Sequence, residues 1–171
     1  MKRARLVTAS ALLALGLAGG TVAASAASPG QDVARHHLTQ TTHLDVAAAT
    51  EAARAALHAA EKENQRVSVA VVDRNGNTIV TLRGDGAGPQ SYESAERKAF
   101  TAVSWNAPTS ELAKRLQQAP NLKDIPGTLF LAGGAPVAVK GAPVAGIGVA
   151  GAPSGDLDEK YAQAGVATLG H

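Results

Sequence analysis

The chain has 171 residues, of which 45% are hydrophobic and 18% charged, and this size suits one globular domain with its own hydrophobic core. It contains no cysteine, which excludes disulfides, thiolate catalysis and cysteine-ligated metal centres. The formal net charge is only +2 and aromatic residues make up 3% of the chain, too few for a platform that stacks the bases of single-stranded nucleic acid.

The first 26 residues have the order of features found in a secretory signal peptide. Three basic residues precede position 6, a mostly apolar run covers 6–18, and small residues end in Ala24-Ser25-Ala26. The apolar run is shorter than the roughly 20 residues that span a bilayer, and no later run is long or apolar enough. We therefore predict a secreted, extracellular protein that is cleaved near Ala26 and has no membrane-spanning segment.

Removal of this segment changes the charge balance of the chain. The mature part keeps 13 basic side chains, three fewer than the whole chain, against 14 acidic ones. The basic sequence pI of about 9.1 therefore comes from the export signal, and we expect no nucleic-acid partner.

The mature chain opens with a polar stretch and an alanine-rich helix. Residues 27–41 have no periodicity and predict a flexible tail, so that the domain spans 42–171. Thr42 or Asp45 can cap a helix that runs to about Asn64. Because alanine fills most positions on the apolar stripe, we expect this helix to pack closely against a neighbouring element or another subunit.

Two β-branched segments on either side of an Asn-Gly turn predict a β-hairpin. They cover 67–73 and 78–83, with Asn75-Gly76 between them. The glycine-rich loop that follows, 84–89, lacks the Gly-Lys-Ser/Thr ending of a phosphate-binding loop and has alternating glycines. We therefore reject nucleotide binding.

The rest of the chain predicts two helices, three short strands and a final helix. The first of these helices covers about 91–104, and the second begins with Thr109 as its N-cap and ends near 118. The strands cover 128–132, 136–140 and 143–150, and the last helix covers about 157–169. Asp158 and Glu159 are interpreted as residues that cap this last helix and balance its dipole. Together the elements predict an α+β fold in one layered domain, with a five-stranded antiparallel sheet flanked by helices.

A set of short motifs runs through the mature domain in a fixed order. It consists of Val69–Asp73, Gly76-Asn77, Lys98-Ala99, Thr101-Ala102, Ala107-Pro108-Thr109, Leu112-Ala113, Gly133-Gly134 with Pro136, Gly146–Gly151 and Asp158-Glu159. The ordered set resembles the GlcG/HbpS-like, or haem-degrading, family over about 44–165, although no single motif is specific. The export signal, the lack of cysteine and the segment Ser91–Glu96 are similar to the extracellular branch of this family.

The resemblance implies several properties that composition and spacing do not. It implies a central antiparallel sheet flanked by helices and assembly into a large homo-oligomer, often an octamer. It also implies haem binding, slow haem breakdown and capture of the iron ion. For the secreted branch it implies a partnership with a membrane sensor histidine kinase in redox signalling.

A haem site needs apolar walls, a cation for the propionates and usually one ligand to the iron. The chain has no cysteine, and its only methionine is lost with the signal peptide, which leaves histidine, tyrosine or another nitrogen or oxygen donor. His43, at the opening of the first helix, can face a pocket. The resemblance implies another ligand, the hydroxyl of Thr128, which would hold haem weakly. Arg83 and Arg97 are both candidates to pair with a haem propionate, and Arg83 is favoured because it lies at a strand end.

Two carboxylates in the predicted second helix form a possible metal site. Glu93 and Glu96 are three residues apart, so both side chains can face one cation, and their oxygens suit iron as well as Mg²⁺ or Ca²⁺. A solvated acidic face near a helix start would explain the same spacing. The resemblance implies that this pair is an iron site.

The residues and the resemblance together predict an extracellular haem-binding protein that releases or sequesters iron and modulates a sensor kinase. Haem breakdown by peroxide at an exposed iron would need no general acid or base from the protein, so we assign no catalytic residue and leave the enzymatic status open. One alternative is a regulatory or structural homo-oligomer that acts by protein contact. Another is a binder of a different tetrapyrrole-like ligand such as cobalamin.

Overall fold

The computed structural model describes residues 33–170. The predicted signal peptide, the first part of the predicted tail and His171 lie outside the described residues. Residues 40–171 belong to one compact unit, and residues 33–39 belong to a separate one that contains a short 3₁₀ turn at Arg35–His37. No helix within 33–170 has the length and apolar character needed to cross a membrane.

Four helices and four strands make up the domain. In chain order they are α1 (Val46–Lys62), β1 (Ser68–Asp73), β2 (Thr78–Arg83), α2 (Pro89–Trp105), α3 (Thr109–Arg115), β3 (Gly134–Val139), β4 (Ala142–Ala150) and α4 (Gly155–Ala167), with a 3₁₀ turn at Pro120–Asp124 between α3 and β3. The hairpin and the order of the helices are as predicted.

The strands form one antiparallel sheet in the order β2-β1-β4-β3. The prediction of a fifth strand at 128–132 is wrong, because the chain there bonds to other elements instead of to a strand. The amide of Thr128 donates to the carbonyl of Ile125 at 3.3 Å, and the amide of Leu129 donates to the hydroxyl of Thr101 in α2 at 2.8 Å. The α+β class holds with a four-stranded sheet.

The sheet is covered on both faces, so the domain has three layers. Helices α1 and α4 pack on one face and α2 on the other. The α1 and α4 side holds the larger core, with Val69 and Val71 of β1 and Ile147 and Val149 of β4. Alternation along a strand places their neighbours, among them Ala70 of β1, on the α2 side.

Glycines in β4 bring α2 close to the sheet. A Cβ atom on Gly146 would overlap the carbonyl oxygen of Ala99, and one on Gly148 would overlap that of Ala95 and lie 2.5 Å from the amide nitrogen of Ala99. The backbone of α2 therefore rests directly on the backbone of β4. This contact fixes the position of every side chain that α2 presents.

The helix starts follow capping rules, with one exception. Asp45 accepts from the amide of Ala48 at 2.8 Å before α1, and Ser154 accepts from Leu157 at 3.3 Å before α4. Thr109 was predicted as the N-cap of α3, but it is the first helical residue and Pro108 precedes it. Its hydroxyl is needed elsewhere, because it accepts from the amide of Gly134 at 2.7 Å.

Candidate functional site

A cleft of about 190 Å³ lies between the β1–β2 turn, α2 and the loop that follows the 3₁₀ turn at Pro120–Asp124. Its lining consists of Val72, Gly76, Thr78, Glu96, Arg97, Phe100 and Gly127. We call it the Phe100 cleft. Of the residues discussed for the site from sequence, Glu96 and Arg97 line it directly, and Thr128 follows a lining residue in the chain.

The ring of Phe100 lies against two glycines that come from different loops. A Cβ atom at Gly76 would sit 2.7 Å from the ring, and one at Gly127 would sit 3.6 Å from it. Both glycines have a positive φ, +89° and +79°, a conformation that L side chains rarely adopt. The cleft therefore has a flat aromatic wall bordered by bare backbone, a shape that suits the edge of a planar ligand.

Glu93 and Glu96 have different partners in the structure. Glu96 accepts a hydrogen bond from the hydroxyl of Thr81 in β2 at 3.1 Å. Glu93 is 69% exposed and forms an ion pair with Arg97. Residues 33–170 contain no group of three or more His, Asp or Glu side chains arranged to hold a metal ion. The iron site at this pair stays a prediction, and a cation bound there would compete with Arg97 for Glu93.

Thr128 is only 7% exposed and lies next to the cleft. Its hydroxyl donates to the carbonyl of Ile125 at 2.7 Å, which leaves the oxygen lone pairs free to accept or to ligate. Thr101, fully buried in α2, holds the next residue in place through the bond to Leu129. The structure thus fixes Thr128 from both sides, and its role as haem ligand stays a prediction.

His43 lies beside the β1–β2 turn and is not part of the lining of the Phe100 cleft. Its Nε2 is 2.7 Å from the hydroxyl of Thr41, and its Nδ1 is 3.8 Å from a carboxylate oxygen of Asp73. Burial raises the pKa of Asp73, but hydrogen bonds from Asn77 and Asn75 and the nearby His43 outweigh it and hold that pKa below its ordinary value.

Arg83 is occupied at the far end of β2. Its Nε and Nη2 donate to the carbonyl of Ala87 at 3.2 and 2.7 Å, which closes the glycine-rich loop. Thr78, at the other end of the strand, lines the cleft, and five residues of strand extend for about 17 Å. Arg97, the other cation considered for a propionate, is therefore the one that the fold places at the cleft.

Sequence reasoning missed a buried ionic cluster. Lys98 of α2 donates to Asp158 of α4 at 2.8 Å and to the carbonyl of Val149 at 3.1 Å. Burial raises the pKa of Asp158, opposed by Lys98 and by the amides of Ala152 and Gly151.

Glu159 completes this cluster at the start of α4. It accepts from the amide and the hydroxyl of Ser110 at 2.9 and 2.6 Å and from the amide of Gly133 at 3.3 Å. Asp158 and Glu159 therefore join α4 to α2, β4 and α3, which goes beyond the capping role read from sequence. One signal was present in the sequence: Asp158 lies three and four residues before Tyr161 and Ala162, and Glu159 lies three before Ala162, spacings that put these pairs on the same helical face.

The chain is similar to proteins of one known family. The family model described as "Haem degrading protein HbpS-like" matches residues 44–167. A curated relative from Citrobacter freundii, an uncharacterized 15.0 kDa protein in the dhaT-dhaS intergenic region, is 31% identical over 117 residues, which are 66% of this chain and 82% of the relative.

Several solved structures resemble this chain in both fold and sequence. A crystal structure of a Streptomyces reticuli HbpS double mutant has 78% identity and a TM-score of 0.83, covering 85% of this chain and 99% of that one. A crystal structure of HbpS has 80% identity and a TM-score of 0.81, covering 82% and 100%. A complex of PduOC with haem has 28% identity and a TM-score of 0.69, covering 75% and 96%.

Proposed function

The chain belongs to the HbpS-like family of haem-degrading proteins, and from this premise we propose that it is an extracellular haem-binding protein. The observation that carries the proposal is the Phe100 cleft, which brings a flat aromatic wall, a cation and the neighbourhood of Thr128 together. Family membership supports the ligand, and a solved relative with the same fold is a complex with haem. The signal peptide read from the sequence supports the location.

The residues of the cleft fit the needs of a haem edge. Val72 and Phe100 line the cleft with apolar side chains, and Arg97 would supply a cation for a propionate. Thr128, one residue after the lining residue Gly127, would supply a neutral oxygen ligand from beside the cleft. A volume of about 190 Å³ is below the roughly 300–1,000 Å³ of pockets that enclose a small-molecule ligand. The cleft alone would therefore cover only part of a haem and hold it loosely.

This partial cover bears on haem degradation. Bound haem would supply an iron centre at which peroxide can break down the porphyrin. The chain's contribution is to hold the group in a half-open site without a strong ligand, so that no general acid or base is required. We propose slow, peroxide-dependent haem degradation on this basis.

Capture of the released iron is assigned to Glu93 and Glu96. Both carboxylates lie on α2, and Glu96 lines the Phe100 cleft, so an iron ion leaving the site would meet them. The Streptomyces reticuli HbpS variant cited above carries aspartate at two glutamate positions three residues apart, which is the spacing of Glu93 and Glu96. The family resemblance further supports an octameric assembly and modulation of a membrane sensor histidine kinase.

The experiment that tests haem binding is a hemin titration of the mature protein, followed at the Soret band. We expect saturable binding with a shifted band. Thr128→Val keeps the side-chain shape and removes the ligating oxygen, so we expect at least tenfold weaker binding and an altered spectrum. Thr128→Ser restores a hydroxyl and is expected to restore the spectrum.

Three results would count against the proposal. Absence of any saturable Soret change in the wild-type protein would overturn haem binding itself. An unchanged spectrum in Thr128→Val would overturn Thr128 as the ligand, and the same titration of His43→Ala would then examine the histidine predicted from sequence. Displacement of hemin by cobalamin at similar concentration would favour the alternative ligand.

A further inference from the structure

A second cavity, of about 200 Å³, lies between α2, the loop at 129–131, the end of β4 and the start of α4. Lys98 and Asp158 form part of its wall, and we call it the Lys98 cavity. It shares no lining residue with the Phe100 cleft. Nothing in the proposed haem chemistry uses it.

The ammonium of Lys98 has one hydrogen-bond donor to spare. A lysine ammonium has three N–H groups, and within residues 33–170 Lys98 donates to two acceptors, the carbonyl of Val149 and a carboxylate oxygen of Asp158. The side chain is buried, with the residue only 5% exposed. The third N–H is therefore available to an acceptor in the cavity that Lys98 lines.

The fold keeps space for this ammonium. Gly133 has a φ of +131°, and a Cβ atom there would sit 2.6 Å from the Nζ of Lys98. Any side chain at this position would push the ammonium away from its two acceptors. Glycine is thus required at position 133 both by the backbone conformation and by the charged group beside it.

Three more polar side chains of α2 line the cavity, and one of them, Ser91, is already bonded to Ser68 and to the carbonyl of Gly88. Gln90, Ser94 and Lys98 are spaced four residues apart, which places them in a row. Ser104 and Thr101 of this helix donate back to a carbonyl one turn earlier. Within residues 33–170, the Ser94 hydroxyl has no such bond. The row therefore offers hydroxyl, carboxamide and ammonium groups to a molecule in the cavity.

Charge and size restrict what that molecule is. Asp158, 2.8 Å from Lys98, already balances its charge and would repel a second carboxylate bound beside it. Leu129, Leu131 and Ala150 supply the apolar part of the lining. The volume is that of six or seven water molecules at roughly 30 Å³ each, enough for a ligand of a few non-hydrogen atoms.

We propose that the Lys98 cavity binds a small uncharged carbonyl compound, whose oxygen accepts from Lys98 and Ser94 and whose short apolar end lies against Leu129 and Leu131. The site is independent of the proposed haem function. It takes an amide, ketone or aldehyde of two to four carbons and excludes the corresponding carboxylate.

Propionamide and propionate provide a shape-matched pair of probes that differ in charge. Each is titrated into ¹⁵N-labelled mature protein at pH 7, and the backbone amide shifts of α2 and of residues 150–152 are followed. We expect saturable shifts with propionamide and at least tenfold weaker binding of propionate. Ser94→Ala removes one hydrogen bond without disturbing the buried pair and is expected to weaken propionamide binding about tenfold.

Ser104→Ala is the matched control, because it makes the same change on the same helix at a residue that lines neither cavity. It is expected to leave propionamide binding unchanged. Equal or tighter binding of propionate, no saturable shift with propionamide, or the same affinity in Ser94→Ala would each overturn the proposal. A hemin titration of Ser94→Ala separates the two functions, since haem binding is expected to be unchanged there.

Discussion

At the scale of single residues, the side chain of Asp73 holds the β1–β2 turn in place through its hydrogen bonds. Asp73 accepts from the backbone amides of Asn75 and Asn77 at 2.8 and 2.9 Å, which closes the β1–β2 turn beside the Phe100 cleft. The ionised carboxylate makes these bonds better than the protonated acid, so the pKa of Asp73 lies below its ordinary value.

This lowered pKa predicts how stability depends on pH. The carboxyl of Asp73 takes up a proton at a higher pH in the unfolded chain than in the folded chain. Its contribution to the free energy of unfolding is therefore complete above the ordinary carboxyl pKa of about 4 and is lost as the pH falls through the lower pKa of the folded state. Asp73→Asn is expected to flatten this acid loss. Urea unfolding of both proteins between pH 2 and 6 measures it, and parallel curves would contradict the assignment.

The proposed role of Thr128 as haem ligand also depends on the bonds of a single side chain. Its hydroxyl proton is committed to the carbonyl of Ile125, and a neutral oxygen is a weak partner for iron compared with imidazole or thiolate. We therefore expect haem to exchange rapidly onto a stronger haem-binding protein. Transfer of haem from the wild-type protein to apomyoglobin, followed optically, measures that rate, and transfer over many hours or more would contradict a neutral oxygen ligand.

At the scale of elements, the position of α2 determines both cavities. The helix presents Glu96, Arg97 and Phe100 to one cavity and Ser94 and Lys98 to the other. Small residues of β4 and α2 make this placement possible, because glycines in the strand allow the helix backbone to touch the sheet.

Gly148→Ala tests this contact. The added methyl group would overlap the Ala95 carbonyl, and backbone on both sides cannot give way as a side chain could. We expect a loss of roughly 3 kcal/mol in unfolding free energy, at the upper end of the range for overpacked cores, measured by urea denaturation. Gly170→Ala, where the nearest heavy atom lies 3.9 Å away, is the control and is expected to change little. A small effect at Gly148 would show that α2 can shift freely.

Two bonds join Glu63, the residue that follows α1, to α4 on the other face of the sheet. The hydroxyl of Tyr161 donates to Glu63 at 2.9 Å, and Lys160 forms an ion pair with the same carboxylate. Burial, followed by Glu63, raises the pKa of Tyr161 to about 12. The phenol therefore stays protonated well into alkaline solution, and the bond persists there.

At the scale of the whole molecule, the compact unit of residues 40–171 contains both cavities. The cores on the two faces of the sheet are built from residues after position 43. The segment at 33–39 is exposed throughout, so we expect it to contribute little to stability.

Deletion of residues 27–39 from the mature protein tests this division. A chain beginning at Gln40 is expected to unfold at the same urea concentration, within error, as one beginning at Ala27, and to bind hemin equally well. Sedimentation velocity of both chains also reports the assembly state. A loss of stability or of the proposed large oligomer in the shorter chain would show that the segment has a structural role.

The sequence by itself determined the features that depend on neighbours in the chain. The hairpin at Asn75-Gly76, the first helix start, for which Asp45 was one of two candidate caps, and the family motifs all rest on local conformational preference or on order along the chain. These features were sufficient for the α+β class, for the family and for most element bounds.

Only the tertiary structure decided which polar groups meet. The segment at 128–132 has strand-like residues. The backbone amide of Leu129 nevertheless donates to the hydroxyl of Thr101, 28 positions earlier in the chain, and not to a neighbouring strand. Lys98 and Asp158 are 60 residues apart and meet because α2 and α4 converge at the end of β4. A buried polar group must find a partner wherever the fold supplies one, and chain spacing carries no information about partners that distant.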